Sequence, residues 1–226
     1  KITGPIIIQI LRMIFKCTFL IIKSPIISFK YLNLEKSDGT SFKRRWENLY
    51  LNSNILDKKL NWIHFCFATT ALRRENIAKA INAKMGVSLR GYDINIYPLK
   101  NSLCYSLLWE KVDKVHSISY CLLKKAKSLG LKKETSYNII YPAVNRKIFK
   151  NDSLVKIITK SRIEILTVAR LHWVKGLDYT IHALSKLKNV DFNYTIVGSG
   201  PDYERIILAI KQFNLLKNVK IVDHLP

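Results

Sequence analysis

Apolar positions along the chain fall into three kinds of pattern. Residues 5–24 form one long apolar run, PIIIQILRMIFKCTFLIIKS, with Pro5 suited to a helix start and Pro25 to its end. Residues 33–60 are polar and irregular, and they read as a loop leading into a helix around Trp46–Leu56. From Trp62 onward, short apolar runs alternate with longer amphipathic ones. Strands are expected at Trp62–Phe67, Val87–Leu89, Lys114–Ile118 and Tyr137–Tyr141. Helices are expected at Ala71–Asn82, Ser102–Glu110 and Tyr120–Leu129, with Gly130 closing the last. A looser stretch runs from Pro142 to about Arg162. The alternation then resumes with strands at Ile163–Val168, Asn193–Val197 and Val219–Val222 and helices at Leu177–Leu187 and Asp202–Phe213.

Strand–helix alternation of this kind predicts parallel sheets covered by helices. The chain reads as α/β, with two Rossmann-like, doubly wound domains at 1–145 and 146–226 that meet near 142–162. Residues 62–141 and 163–222 should form separate sheets facing a cleft. The chain opens on Lys1, and Pro226 follows directly on a strand-like run, so the second domain is expected to be incomplete and the chain a fragment.

Charge sharpens the picture. The 226 residues carry 38 Lys+Arg against 16 Asp+Glu, a formal +22. Residues 1–150 hold 27 basic and 9 acidic residues, residues 151–226 hold 11 and 7. A basic excess concentrated in the first domain points to an anionic partner: nucleic acid, phospholipid head groups or phosphorylated small molecules. With 48% hydrophobic residues, a disordered chain is excluded. Cys17, Cys66, Cys104 and Cys121 are widely spaced and form no C-x-x-C, which suits a reducing compartment.

The 5–24 segment has about the length of a membrane span, but its charges each cost about 2.5–3.5 kcal/mol at a helix centre. At about 100° per residue, Arg12, Lys16 and Lys23 lie within about 40° of one another. This basic stripe fits a helix lying in an anionic membrane interface; a domain helix with one wet edge fits the pattern too. No small-residue cleavage site follows, which disfavours a signal peptide.

Ligands of parallel sheets sit beyond the carboxyl ends of strands, which singles out three turns. The first, ARLHWVKG (169–176), places Arg170 and Lys175 between a strand end and a helix N-terminus, a combination suited to a diphosphate without a metal ion; solvated loop charges are the plainer alternative. The second, Gly198-Ser199-Gly200-Pro201, allows close backbone approach and pre-sets a helix start, and it also fits a simple tight turn. It is neither G-x-G-x-x-G nor a Walker loop, so nicotinamide and ATP folds of those types are unsupported. The third, Arg90-Gly91-Tyr92-Asp93, together with His64 on an earlier strand, offers a cation, a flexible glycine and a carboxylate for a sugar or phosphate; His64 equally suits a satisfied interior histidine. No histidine spacing suggests a metal site.

Six phrases together resemble the retaining GT-B glycosyltransferases of family 4, especially those of bacterial exopolysaccharide and lipopolysaccharide synthesis: WIHFCFA (62–68), VSLRGYDI (87–94), YSLLWEKVDKVHSISYCLLKKAKSLG (105–130), NIIYPAVNRKIF (138–149), ILTVARLHWVKGLDYTIHAL (165–184) and YTIVGSGPDYERI (194–206). The last two carry most of the likeness. The resemblance covers roughly 62–226.

It implies that Arg170 and Lys175 contact the donor diphosphate and that Gly198 and Gly200 border the donor. Arg90, Gly91 and Asp93 would lie on the acceptor side, with His64, Arg90 and Asp93 as candidate catalytic residues. Ala169 replaces the family's usual glycine, and Arg90 stands where many relatives carry histidine. The family's Glu-x7-Glu motif would fall beyond Pro226, so this chain is expected to be inactive by itself.

The implied reaction moves a sugar from a nucleotide-diphosphate donor to a saccharide or lipid-linked acceptor, with retention and without a metal or other cofactor. It would take place in the cytoplasm, peripheral to the inner face of the plasma membrane, with no nucleic-acid partner. Competing readings are a basic nucleic-acid-binding protein, a GT-B sugar-nucleotide epimerase and a non-catalytic membrane-surface protein.

Overall fold

The structure, a computed structural model, describes residues 6–149 and 162–223. Pro5, residues 150–161 of the expected looser stretch, and the three residues after Asp223 lie outside the described residues. The chain divides into two compact units, Lys1–Phe149 and Lys150–Pro226.

The first unit begins with three helices, α1 (Ile6–Lys23), α2 (Pro25–Ser37) and α3 (Phe42–Leu56). Pro25 occupies the first turn of α2, where its missing N–H costs nothing. Much of the stretch expected as a loop is therefore helical. Its polar residues mislead because several face inward and satisfy one another. Glu35 is buried and accepts hydrogen bonds from the amides of Asn48 (2.7 Å) and Asn76 (3.0 Å). Asn52, also buried, donates to the Tyr31 hydroxyl at 3.0 Å and to the Arg73 carbonyl at 2.9 Å.

Beyond them, β1 (Trp62–Phe65) leads into two short helices, α4 (Ala68–Ala71) and α5 (Ile77–Ala80). The single helix expected over Ala71–Asn82 is broken at Arg73, whose φ is +66°. There its guanidinium Nε bonds to Asn48 Oδ1 at 2.8 Å. Next come β2 (Lys84–Leu89), a π-helical turn (Tyr92–Ile96), α6 (Tyr97–Lys100) and α7 (Ser106–Lys111). The unit closes with β3 (Lys114–Ser117), α8 (Tyr120–Ser128) and β4 (Ser136–Ile139). The four strands are parallel and ordered β1-β2-β3-β4. Met85, Val87, Leu89 and Val115 from the sheet join Leu49, Leu108, Trp109 and Leu123 from the helices in one core.

The second unit holds β5 (Ile163–Val168), a 3-10 turn (Trp173–Lys175), α9 (Leu177–Ser185), β6 (Phe192–Val197), α10 (Tyr203–Gln212) and β7 (Val219–Val222). Its strands are parallel in the order β5-β6-β7, and Leu171, Ile181, Tyr194, Ile196 and Ile206 centre its core. The sheets are separate, with Val115 in one and Ile165 in the other, as the alternation predicts.

The helix expected over 5–24 is α1, but its cations do not form a face of their own. Cys17 and Leu20 are buried against α2 and α3. Lys23 bonds to Asp57 at 2.7 Å, and the Lys16 ammonium lies 5.6 Å from the centre of the Tyr50 ring. Lys16 and Lys23 thus lie along the border where α1 meets α3. The outward face is apolar: Leu11, Phe15, Phe19 and Ile22 are 58–76% exposed, and Ile26 and Phe29 of α2 are also exposed. Among the described residues, no helix is long and apolar enough to cross a membrane.

Candidate functional site

In the first unit the candidates gather at the carboxyl ends of β1 and β2. Gly91 has a φ of +127°, a conformation that requires glycine, although a Cβ there would meet no neighbour. Asp93 organises the turn: its carboxylate accepts the backbone N–H groups of Gly91 (2.8 Å), Arg90 (3.0 Å) and Ala68 (3.1 Å) and is fully buried. The Tyr105 hydroxyl donates to the Asp93 carbonyl at 2.6 Å. Asp93 is therefore a turn-holding residue. Both of its oxygens accept backbone N–H groups.

Arg90, held in place by that turn, is exposed, with its guanidinium 5.7 Å from the centre of the Phe67 ring. His64 is exposed as well, and Nε2 lies 2.8 Å from Ser88 Oγ. Partial burial, together with the positive charge of His116 and Arg90, holds its imidazole below the ordinary histidine value. Its ring lies over Gly86 beside Trp62. A Cβ at Gly86 would come within 2.8 Å of His64 Nδ1 and 2.6 Å of Trp62 Cζ2, so only glycine fits beneath the two rings.

In the second unit, the loops after β5 and β6 are stitched together. Ala169 N–H donates to the Val197 carbonyl (3.0 Å), Leu171 N–H to Ser199 (2.9 Å), and Asp202 N–H to Leu171 (3.2 Å). This contact explains both glycines. A Cβ on Gly198, whose φ is +146°, would lie 2.0 Å from the Ala169 carbonyl oxygen, and one on Gly200 would lie 2.2 Å from that of Leu171. Their immediate role is to let two backbones touch.

A hollow of about 430 Å³ opens beside them, lined by Gly198, Ser199, Gly200, Tyr203, Ile221 and Asp223. Arg170 and Lys175 are both exposed on the neighbouring β5–α9 connection, anchored between them by the fully buried Leu171. Gly176, at φ +63°, starts α9 directly after Lys175, so Lys175 and the helix N-terminus share one turn of the chain. The structure thus brings all four donor-side candidates to one edge of the second sheet.

Sequence reasoning passed over Ser88 and gave His116 no role. In strand register Ser88 lies opposite His116, one strand over from His64. The alternation of side chains along neighbouring strands was the available signal, but using it requires knowing the pairing. Among the described residues, no three His, Cys, Asp or Glu side chains gather to hold a metal ion.

Comparison with known proteins places this architecture. Residues 150–226 match the family described as Glycosyl transferases group 1. No curated protein matches the chain in sequence. Among solved structures, the lipopolysaccharide outer core galactosyltransferase WaaB in its apo form is 14% identical, with a TM-score of 0.57 over 81% of this chain and 49% of that one. HepE of Anabaena, in complex with UDP and glucose, is 17% identical, with a TM-score of 0.58 over 74% and 48%. A glycosyltransferase from Rickettsia africae ESF-5 is 21% identical, with a TM-score of 0.56 over 79% and 50%. The chain thus spans about half the length of these structures. The likeness shows the fold: α/β with parallel sheets, of the GT-B kind.

Proposed function

We propose that the chain is part of a retaining glycosyltransferase of family 4 type, hexosyl-transferring, that moves a sugar from a nucleotide-diphosphate donor to a saccharide or lipid-linked acceptor in cell-surface polysaccharide synthesis. The observation that carries this reading is the edge of the second sheet. Two cations, a helix N-terminus and a glycine loop beside a hollow meet there, within the residues that match a glycosyltransferase family. HepE, with the same fold, is described in complex with UDP and glucose.

On this reading Arg170, Lys175 and the start of α9 face the diphosphate, and Gly198 and Gly200 border the donor. As the sugar leaves, negative charge grows on the diphosphate. Fixed cations and N–H dipoles stabilise that charge more strongly than the ground state, which is what accelerates the step. They do so in place of a metal ion or other cofactor. The acceptor approaches His64, Arg90 and Gly91 in the first unit. The test is isothermal titration with UDP, GDP and ADP in the presence and absence of EDTA. Binding of a nucleoside diphosphate that withstands EDTA supports the reading; a strict metal requirement, or binding of random oligonucleotides in preference to every nucleotide, contradicts it.

The outward face of α1 favours a second element of the proposal, a cytoplasmic protein peripheral to an anionic membrane. Leu11, Phe15, Phe19 and Ile22 form an apolar surface that is exposed among the described residues, with Arg12 and Lys16 along one border. Apolar side chains entering the head-group region with cations beside lipid phosphates are the arrangement of an interfacial helix. A lipid-linked acceptor would be presented at the same surface.

A further inference from the structure

Three side chains cross the first sheet in a line. His64 Nε2 lies 2.8 Å from Ser88 Oγ, Ser88 Oγ lies 2.9 Å from His116 Nδ1, and His116 Nε2 lies 3.2 Å from the Ile140 carbonyl oxygen. They come from β1, β2 and β3, and the last acceptor follows β4.

The far end fixes the direction of every bond. A carbonyl oxygen only accepts, so His116 Nε2 carries the proton and donates. In neutral His116, Nδ1 is then a bare acceptor, so the Ser88 hydroxyl donates to it. Ser88 Oγ in turn accepts from His64 Nε2–H. Neutral His64 is left with a bare Nδ1, the nitrogen that lies over Gly86 and makes no hydrogen bond among the described residues.

We propose that His64, Ser88 and His116 form a proton relay in which Ser88 and His116 are positioning residues for His64. The relay holds His64 as a base at Nδ1 and passes on the proton taken up there. The movement balances without any co-reactant. A hydroxyl leaves its proton on His64 Nδ1 and keeps the bonding pair. The Nε2 proton moves to Ser88 Oγ, and the original Ser88 proton moves to His116 Nδ1. His64 ends neutral with its proton on Nδ1, Ser88 ends unchanged, and His116 ends cationic with its Nε2–H still on the Ile140 carbonyl. The positive charge is thereby moved two strands across the sheet, from β1 to β3. A hydrogen bond from a charged donor is also stronger than one from a neutral donor, which favours the shifted state at the carbonyl.

The use of this relay for an acceptor hydroxyl rests on the proposed glycosyltransferase reading, but its existence does not. The experiment therefore reads the imidazoles directly. Histidine-selective ¹⁵N labelling of the 226-residue chain, followed through pH 5–9 by two-bond ¹H–¹⁵N correlation, reports which nitrogens of each ring carry protons. At high pH both His64 and His116 should show protonated Nε2 and bare Nδ1. As pH falls, uptake of the first proton should move the resonances of both rings together, because two strongly coupled groups titrate as a pair. Ser88→Ala should separate the two titrations and leave His64 as a mixture of tautomers, and Ser88→Thr, which keeps the hydroxyl, should restore the joint behaviour. A ¹H–¹⁵N backbone spectrum of each variant establishes that the sheet is intact. Independent titration of the two rings in the parent chain, a protonated Nδ1 on neutral His64, or Ser88→Ala spectra identical to the parent would overturn the relay while leaving the donor site untouched.

Discussion

Gly198 shows what a single residue decides here. Its missing side chain leaves room for the Ala169 carbonyl, and its φ is one that other residues rarely adopt. Gly198→Ala should therefore cost on the order of 1–3 kcal/mol through overpacking and strain. Thermal denaturation should show a lowered midpoint, whereas a midpoint within a degree of the parent would mean that the two loops are not in contact. Glu75 is a second residue with a definite signature. Burial raises its carboxyl above the ordinary value, and nearby Glu35 adds to this against the pull of backbone N–H groups. The sign follows from linkage. The folded state holds this proton more tightly than the unfolded chain does. The group's cost is therefore absent below the unfolded value, near 4.5, and grows as pH rises through the raised folded value. Glu75→Gln should gain stability over the parent at neutral pH, with the difference vanishing toward pH 4. Urea titrations at pH 4 and pH 7 measure it, and a difference independent of pH would contradict the assignment. Asp93 is a residue that sequence leaves open: Gly-x-Asp after a strand is as good a turn signature as an acid–base one, and in the structure its buried carboxylate is bonded to backbone N–H groups.

Among the elements, those built on apolar periodicity were legible from sequence. β5 and β7 begin and end where alternation places them, and α1 follows its apolar run. Those built on buried polar pairing were not. The end of α2 reads as loop because Glu35, a polar residue, faces inward and is satisfied by the amides of Asn48 and Asn76. The break at Arg73 comes from tertiary hydrogen bonds that no local pattern announces. For α1, periodicity located the basic stripe, but the apolar face was recognisable only once α3 had covered Cys17 and Leu20. That face makes a prediction at its own scale. Sedimentation with anionic vesicles should capture the chain, and Phe15→Ser with Phe19→Ser should weaken capture by at least tenfold. Each buried aromatic side chain contributes about 1.5–3 kcal/mol. Raising salt should weaken capture further by screening Arg12 and Lys16. Undiminished capture of the double variant would rule out insertion through this face.

The chain divides into two α/β units of unequal charge, each with a parallel sheet, and the stretch 142–149 that leads out of the first is exposed throughout and forms neither helix nor strand. Limited trypsin digestion should therefore cut first at Arg146 or Lys147; an early cut inside the first sheet would contradict the fold. Residues 1–150 carry most of the net charge, yet the cations that define the account are in the second unit. Their role separates a nucleotide-sugar enzyme from a protein that merely attracts polyanions. The most direct test is isothermal titration of UDP, GDP and ADP into the parent chain, Lys175→Ala and Arg170→Ala, with a random oligonucleotide titrated in parallel. A hydrogen bond to a charged group contributes about 1.5–3 kcal/mol, so each variant should bind its nucleoside diphosphate about tenfold to a hundredfold more weakly, with oligonucleotide binding unchanged. Unaltered nucleotide affinity in both variants would mean that the donor does not bind at the carboxyl edge of the second sheet.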